Sequence, residues 1–122
     1  MKPPIIVIGD DLEIFESVGD AERYIEAPDV HKGQTVAYDS EGRLLELRAP
    51  GQGTSTFLGV RTYDVRQPIS ISDAEPEPSH QSELSSCLRD YLHRLSLSEE
   101  TLSQMSLAEL IGVAIERCRF TK

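Results

Sequence analysis

The sequence predicts an α+β fold: a largely antiparallel sheet, one helix near the amino end and an antiparallel helix pair at the carboxyl end. Three observations predict it. Ile5-Ile6-Val7-Ile8 is an unbroken β-branched run, which marks a strand covered on both faces. Asp39-Ser40-Glu41-Gly42-Arg43 separates two apolar segments, and a Gly near the end of a short polar loop marks a hairpin. From Leu84 to Leu95 apolar residues recur three and four apart, the period of an amphipathic helix.

Taken in order, Pro3 and Pro4 hold the start extended before the first strand. Gly9-Asp10-Asp11 closes that strand with turn chemistry, and Leu12–Phe15 follows as a second short strand. Ser17 is placed to cap a helix over residues 18–26, its hydroxyl accepting from the Asp20 N–H. Asp20 also sits where the helix dipole favours negative charge. Val18, Ala21, Tyr24 and Ile25 form the apolar stripe of that helix, Glu22, Arg23 and Glu26 face water, and Pro28 stops it.

The hairpin pairs residues 34–38 with residues 44–48, and Gly42 supplies the left-handed position of its loop. Residues 49–55 read as a flexible connector and 56–67 as one long strand. Ile69 and Ile71 extend it or add an edge after Pro68. Asp73-Ala74-Glu75-Pro76-Glu77-Pro78 reads as a stiff, solvated linker. Helices then follow over residues 82–95 and 107–119, with a single turn at 98–101 between them. Ser106-Leu107-Ala108-Glu109 is a capping box that opens the last helix.

A chain of 122 residues fits one domain. It divides into a strand-helix-hairpin-strand part at 1–72, a linker at 73–79 and a helical pair at 80–122. There is no run of eighteen apolar residues, so no spanning helix is expected, and the short apolar stretch at the amino end does not make a signal peptide. The expected compartment is cytoplasmic. Cys87 and Cys118 read as reduced thiols on apolar helix faces.

No constellation for catalysis emerges. Gly9-Asp10-Asp11 is a turn before it is a metal site, because the twelve-residue calcium-loop pattern is absent. Gly51-Gln52-Gly53-Thr54-Ser55 lacks the Lys of a phosphate-binding loop and precedes a strand instead of a helix. His31, His80 and His93 are scattered, and no Cys-x-x-Cys exists. Neither a metal nor a cofactor is implied, and the chain is expected not to be an enzyme.

What stands out is charge. The net value is −9, and residues 1–78 hold fifteen acids against seven bases. Between residues 10 and 29, Asp10, Asp11, Glu13, Glu16, Asp20, Glu22, Glu26 and Asp29 face Arg23 alone. Asp39 and Glu41 add to this at the hairpin tip. Such a surface repels a phosphate backbone, so direct nucleic-acid binding is not expected. It attracts a basic partner and speeds its approach. The plainer reading is that acidity keeps the protein soluble. These ten acids are the candidate partner-binding residues.

The stretch Phe15-Glu16-Ser17-Val18, Ala21-Glu22-Arg23-Tyr24-Ile25-Glu26, Asp29-Val30 and Val36-Ala37-Tyr38-Asp39-Ser40-Glu41-Gly42-Arg43-Leu44-Leu45 resembles small bacterial immunity proteins that neutralise polymorphic secreted toxins. The resemblance implies a non-catalytic cytoplasmic monomer. It would bind one cognate toxin domain, of nuclease or ADP-ribosyltransferase type, and occlude its active site. An adaptor or secretion chaperone that binds through its carboxyl-terminal helical pair is the alternative.

Overall fold

The β-branched run at the amino end becomes the strand on which two cores are built. In the computed structural model, which describes residues 1–25, 35–48, 54–57, 60–63 and 69–121 (54–57 and 60–63 as backbone), strand β1 spans Ile5–Ile8. It is flanked by β2 (Leu12–Phe15) and β3 (Val36–Tyr38), then by β4 (Leu44–Arg48) and β7 (Ser70–Asp73), in the order β2-β1-β3-β4-β7. Each adjacent pair is antiparallel, with Ile6 opposite Ile14 on one side and Tyr38 on the other.

Strand periodicity sorts the β1 side chains between the two faces of the sheet. Ile5 and Val7 join Phe15, Ala37, Leu45, Ile69 and Ile71 beneath α1 (Val18–Tyr24). Ile6 and Ile8 join Ile14, Tyr38 and Leu44 beneath the carboxyl-terminal helices α2 (Gln81–Arg94), α3 (Glu99–Ser103) and α4 (Leu107–Cys118). The sheet is therefore covered on both faces, as its unbroken β-branched run predicts. Leu84, Leu88, Leu92, Leu110 and Ala114 are fully buried there. Each large aliphatic side chain removed from water contributes about 1.5–3 kcal/mol. The apolar stripes of α2 and α4 are thus spent on the sheet and on each other.

The caps follow the sequence closely. Ser17 accepts from the Asp20 N–H at 3.2 Å. Ser106 and Glu109 make the reciprocal capping box, at 3.2 and 3.3 Å. α2 ends in a pattern the sequence did not advertise. Ser96 takes φ +74°, the Leu97 N–H reaches the Leu92 carbonyl and the Ser96 N–H reaches that of His93. This is a Schellman closure with Ser where Gly is usual.

Two expectations change and one alternative is decided. The long strand over 56–67 divides: β5 (Thr54–Phe57) pairs antiparallel with β6 (Val60–Tyr63) as a separate two-stranded sheet. Of the two readings for Ile71, the added edge holds: it lies in β7, at the edge of the main sheet. The segment 73–79 is no free linker. Ala74 N–H donates to the Leu44 carbonyl at 3.0 Å, Leu44 N–H to Glu75 Oε1 at 2.8 Å, and Arg43 Nε to the Pro76 carbonyl at 3.2 Å. Its unpaired backbone groups and acids are drawn onto the hairpin turn beside it. The helix stop at Pro28, the connector at 49–53 and the Cys118 side chain lie outside the described residues. Cys87 is a half-buried free thiol, and burial raises its pKa.

Candidate functional site

The acids that the sequence groups together fall into two sets. The first set is consumed by the fold. Asp39 is fully buried. Its Oδ1 accepts from the N–H groups of Glu41 and Arg43 at 2.9 Å each, while Oδ2 accepts from the Lys2 N–H at 3.1 Å and the Arg43 guanidinium at 2.7 Å. Short carboxylates close turns in this way by collecting backbone donors. Asp39 is therefore unavailable to a partner, which corrects its assignment to a binding surface. Glu22, expected to face water, instead accepts the Ile71 N–H at 2.8 Å and so ties α1 to β7. Among the described residues β7 is an edge strand with no sheet neighbour on that side, and this N–H finds a carboxylate.

The second set stays open. Asp10 and Asp11 are exposed at the β1–β2 turn, and Glu16 is exposed just after β2. No hydrogen bond or ion pair engages these three carboxylates among the described residues. Asp20 pairs with Arg23 one turn along α1, and Glu41 approaches Arg43 only at 3.9 Å. Glu26 and Asp29 lie outside the described residues.

Glu13 stands between the sets. Its Oε1 accepts from the Tyr24 hydroxyl at 3.1 Å, while its Oε2 is buried without a hydrogen-bond partner among the described residues. Burial raises its carboxyl pKa, the Tyr24 hydrogen bond opposes that, and the negative charge of Asp11 adds to it.

Tyr24 was expected on the buried stripe of α1, yet it is 47% exposed. Its ring leans on Phe15 with centroids 5.2 Å apart and planes at 52°, and Glu13 holds the hydroxyl. These two contacts hold the ring at the rim of the fold. Beside it lies a groove of about 540 Å³ lined by Glu16, Asp20, Arg23, Tyr24, Phe120 and Thr121. Phe120 and Thr121 have no place in the sequence reading. They arrive because Arg119, at φ +60°, turns the chain out of α4 and the Thr121 N–H donates to the Ile14 carbonyl at 2.7 Å. That bond covers part of the free edge of β2. An aromatic residue just beyond a helix end was the one available signal.

A second groove, of about 510 Å³, lies between α2 and α3. Ser86, Asp90 and His93 line it, but no hydrogen bond joins them to one another among the described residues, and His93 Nδ1 lies 3.2 Å from the Leu97 carbonyl. It holds no assembled nucleophile and base. Among the described residues no cluster of His, Cys, Asp and Glu is arranged to hold a metal, and no helix is long and apolar enough to cross a membrane.

A scan against protein-family models and searches of curated proteins and of solved structures each found no match.

Proposed function

We propose that this is a non-catalytic binding protein that captures a basic partner on its acidic edge, as an immunity protein captures a toxin domain. The observation that carries the reading is the exposure of carboxylates at Asp10, Asp11 and Glu16, unpaired among the described residues, on the same part of the chain as a half-exposed Tyr24 held by Phe15 and Glu13. Interfaces draw their affinity from a few aromatic anchors in a partly desolvated setting, and their association rate from charge. An enzyme that acts on phosphate-bearing substrates presents cations in its active site, and carboxylates at the two ends of β2 complement them. A nuclease or ADP-ribosyltransferase domain meets that description. In this reading the protein acts as a monomer in a one-to-one complex.

The helical pair favours the same surface by elimination. Most of its apolar stripes are buried on the sheet and between the helices, with Leu95 the large aliphatic side chain left exposed, so an adaptor would have chiefly polar outer faces to offer.

The test is co-expression in a bacterium with the carboxyl-terminal domain encoded by a neighbouring large reading frame. Rescue from killing with co-purification is the expected result. The association rate should then fall steeply with salt, and reversal of Asp10, Asp11 or Glu16 to Lys should lower it roughly tenfold. Salt-independent binding, untouched by those reversals, overturns the acidic edge as the contact surface.

A further inference from the structure

We propose that the outer edge of β2 takes up an extended, basic segment of the partner through main-chain hydrogen bonds, displacing the Phe120–Thr121 tail that lies there. The inference rests on the reading above and names the mode of contact.

Strand pairing decides which groups of β2 face outward. In an antiparallel pair, successive residues direct their N–H and C=O groups alternately towards the neighbouring strand and away from it. The Gly9 N–H donates to the Asp11 carbonyl across the β1–β2 turn. Val7 with Glu13 and Ile5 with Phe15 are therefore the hydrogen-bonded pairs, and Leu12 and Ile14 direct their backbone groups to the free edge. The Ile14 carbonyl agrees with that alternation, since it accepts from the Thr121 N–H at 2.7 Å. The Leu12 N–H, the Leu12 carbonyl and the Ile14 N–H have no hydrogen-bond partner among the described residues. Ile14 is only 2% exposed, so its N–H has little water to turn to. At the other edge of the sheet, the outward Ile71 N–H is satisfied by Glu22.

The tail fills the β2 edge poorly. It supplies one hydrogen bond and leaves the other outward groups unmatched. It also reaches the edge through Arg119 at φ +60° and ψ 176°, a backbone region nearly confined to Gly. An added strand would bond both Leu12 and Ile14.

Charge selects the occupant. Open edges pair readily with one another, so a second copy of this chain is the first to weigh. Antiparallel pairing of two β2 strands would set Asp10 and Asp11 of one copy beside Glu16 of the other, and like charges facing one another oppose it. The same exposed acids at both ends of β2 favour an extended segment that carries cations.

The test uses the full chain labelled with ¹⁵N. It is titrated with a capped hexapeptide of alternating lysine and valine, and with the two alternately N-methylated forms of that peptide. These keep the charge but lack one or the other set of N–H groups. Expected are protection of the Leu12 and Ile14 amides from hydrogen exchange and loss of protection at Thr121. The methylated form whose blocked amides face β2 should bind roughly tenfold more weakly than the parent. Leu12→Pro removes an outward N–H from an edge position, where proline is tolerated, and should weaken the parent peptide. Thr121→Pro frees the Ile14 carbonyl and should tighten it about threefold. Retained spectral dispersion shows that each variant is folded, and Thr121→Pro carries the test if Leu12→Pro is not. Equal binding of all three peptides with shifts confined to Asp10, Asp11 and Glu16, or a Thr121→Pro chain that binds no tighter, overturns strand addition and leaves the acidic edge standing. Binding by none of the peptides overturns both.

Discussion

Asp39 and Glu16 are both acids of the amino-terminal half, and the fold puts them to opposite use. Asp39 lies inside a turn where two N–H groups of its own loop, one from Lys2 and a guanidinium converge on it. Glu16 follows an edge strand and has no partner among the described residues. A buried carboxylate is tolerated only where donors replace its water. The lesson is that an acidic stretch carries no single meaning. The backbone donors around each carboxylate decide whether it holds the fold or waits for a partner.

The largest effect that would test this contrast comes from Asp39. Asp39→Ala leaves Arg43 beside an emptied site and strands the N–H groups of Lys2, Glu41 and Arg43. A loss of about 3–5 kcal/mol in denaturant unfolding is expected. Asp39→Asn should recover part of it, because one carbonyl still accepts. A loss below about 1 kcal/mol would make Asp39 no more structural than Glu16.

Gly42 comes next. It sits at φ +89°, and a Cβ there would lie 2.7 Å from the Gln81 Cα and 2.9 Å from its N. The His80 N–H donates to the Gly42 carbonyl at 2.9 Å, so the hairpin turn and the start of α2 meet at this residue. Gly42→Ala combines left-handed strain with a backbone clash, and about 2–4 kcal/mol should be lost.

Glu75 extends the consumed set to the segment before α2. It accepts from the Leu44 N–H at 2.8 Å, from the Ser79 hydroxyl at 2.5 Å and lies 2.7 Å from His80 Nδ1. Led by the Leu44 hydrogen bond, these contacts lower its pKa from 4.5 to about 2. A depressed carboxyl favours the folded state above its unfolded value. That contribution is present above about pH 4.5 and fades as pH falls towards about 2. Glu75→Gln should remove this contribution, so that the variant is less stable than the wild type at neutral pH and the two converge towards about pH 2, read from unfolding followed by circular dichroism.

The frame of the fold was legible because it rests on local signals. The run Ile5–Ile8 announces a two-sided strand, Ser17 and Ser106 announce helix starts, and Gly42 announces a positive φ. The candidate site was legible only in part. Asp10, Asp11 and Glu16 are open, as their composition suggests, but Asp39 and Glu22 were read as the same kind of residue. Ile71, the donor to Glu22, lies 49 residues away and Lys2 lies 37 from Asp39, although the other donors to Asp39 are local, on Glu41 and Arg43. No local pattern marks so distant a pairing. Tyr24 misled for a related reason. Helical period placed it on the apolar stripe, whereas the register of β2 set Phe15 and Glu13 where its ring is held at the rim. The break of residues 56–67 into two strands likewise depends on which segment pairs with which, and alternation alone does not specify that.

The smallest effect sharpens the comparison from the open side. Glu13 is neither consumed nor free, since one oxygen meets Tyr24 and the other is buried without a donor. Burial raises its pKa above 4.5, so the folded state holds its proton more tightly than the unfolded chain does. Stability contributed by the protonated form is present below the unfolded value and is lost as pH rises through the folded one. Glu13→Gln, which stays neutral, should therefore match the wild type in mild acid and exceed it at neutral pH. Screening keeps the gain to less than about 1 kcal/mol. The same substitution should weaken capture of a basic partner, because the charge that burdens the free fold is the one that a cation would relieve. A variant that is more stable yet binds less well is the signature of a residue held for its partner. A Glu13→Gln chain that loses stability at neutral pH, or binds unchanged, would place Glu13 with Asp39 among the acids that serve the fold alone.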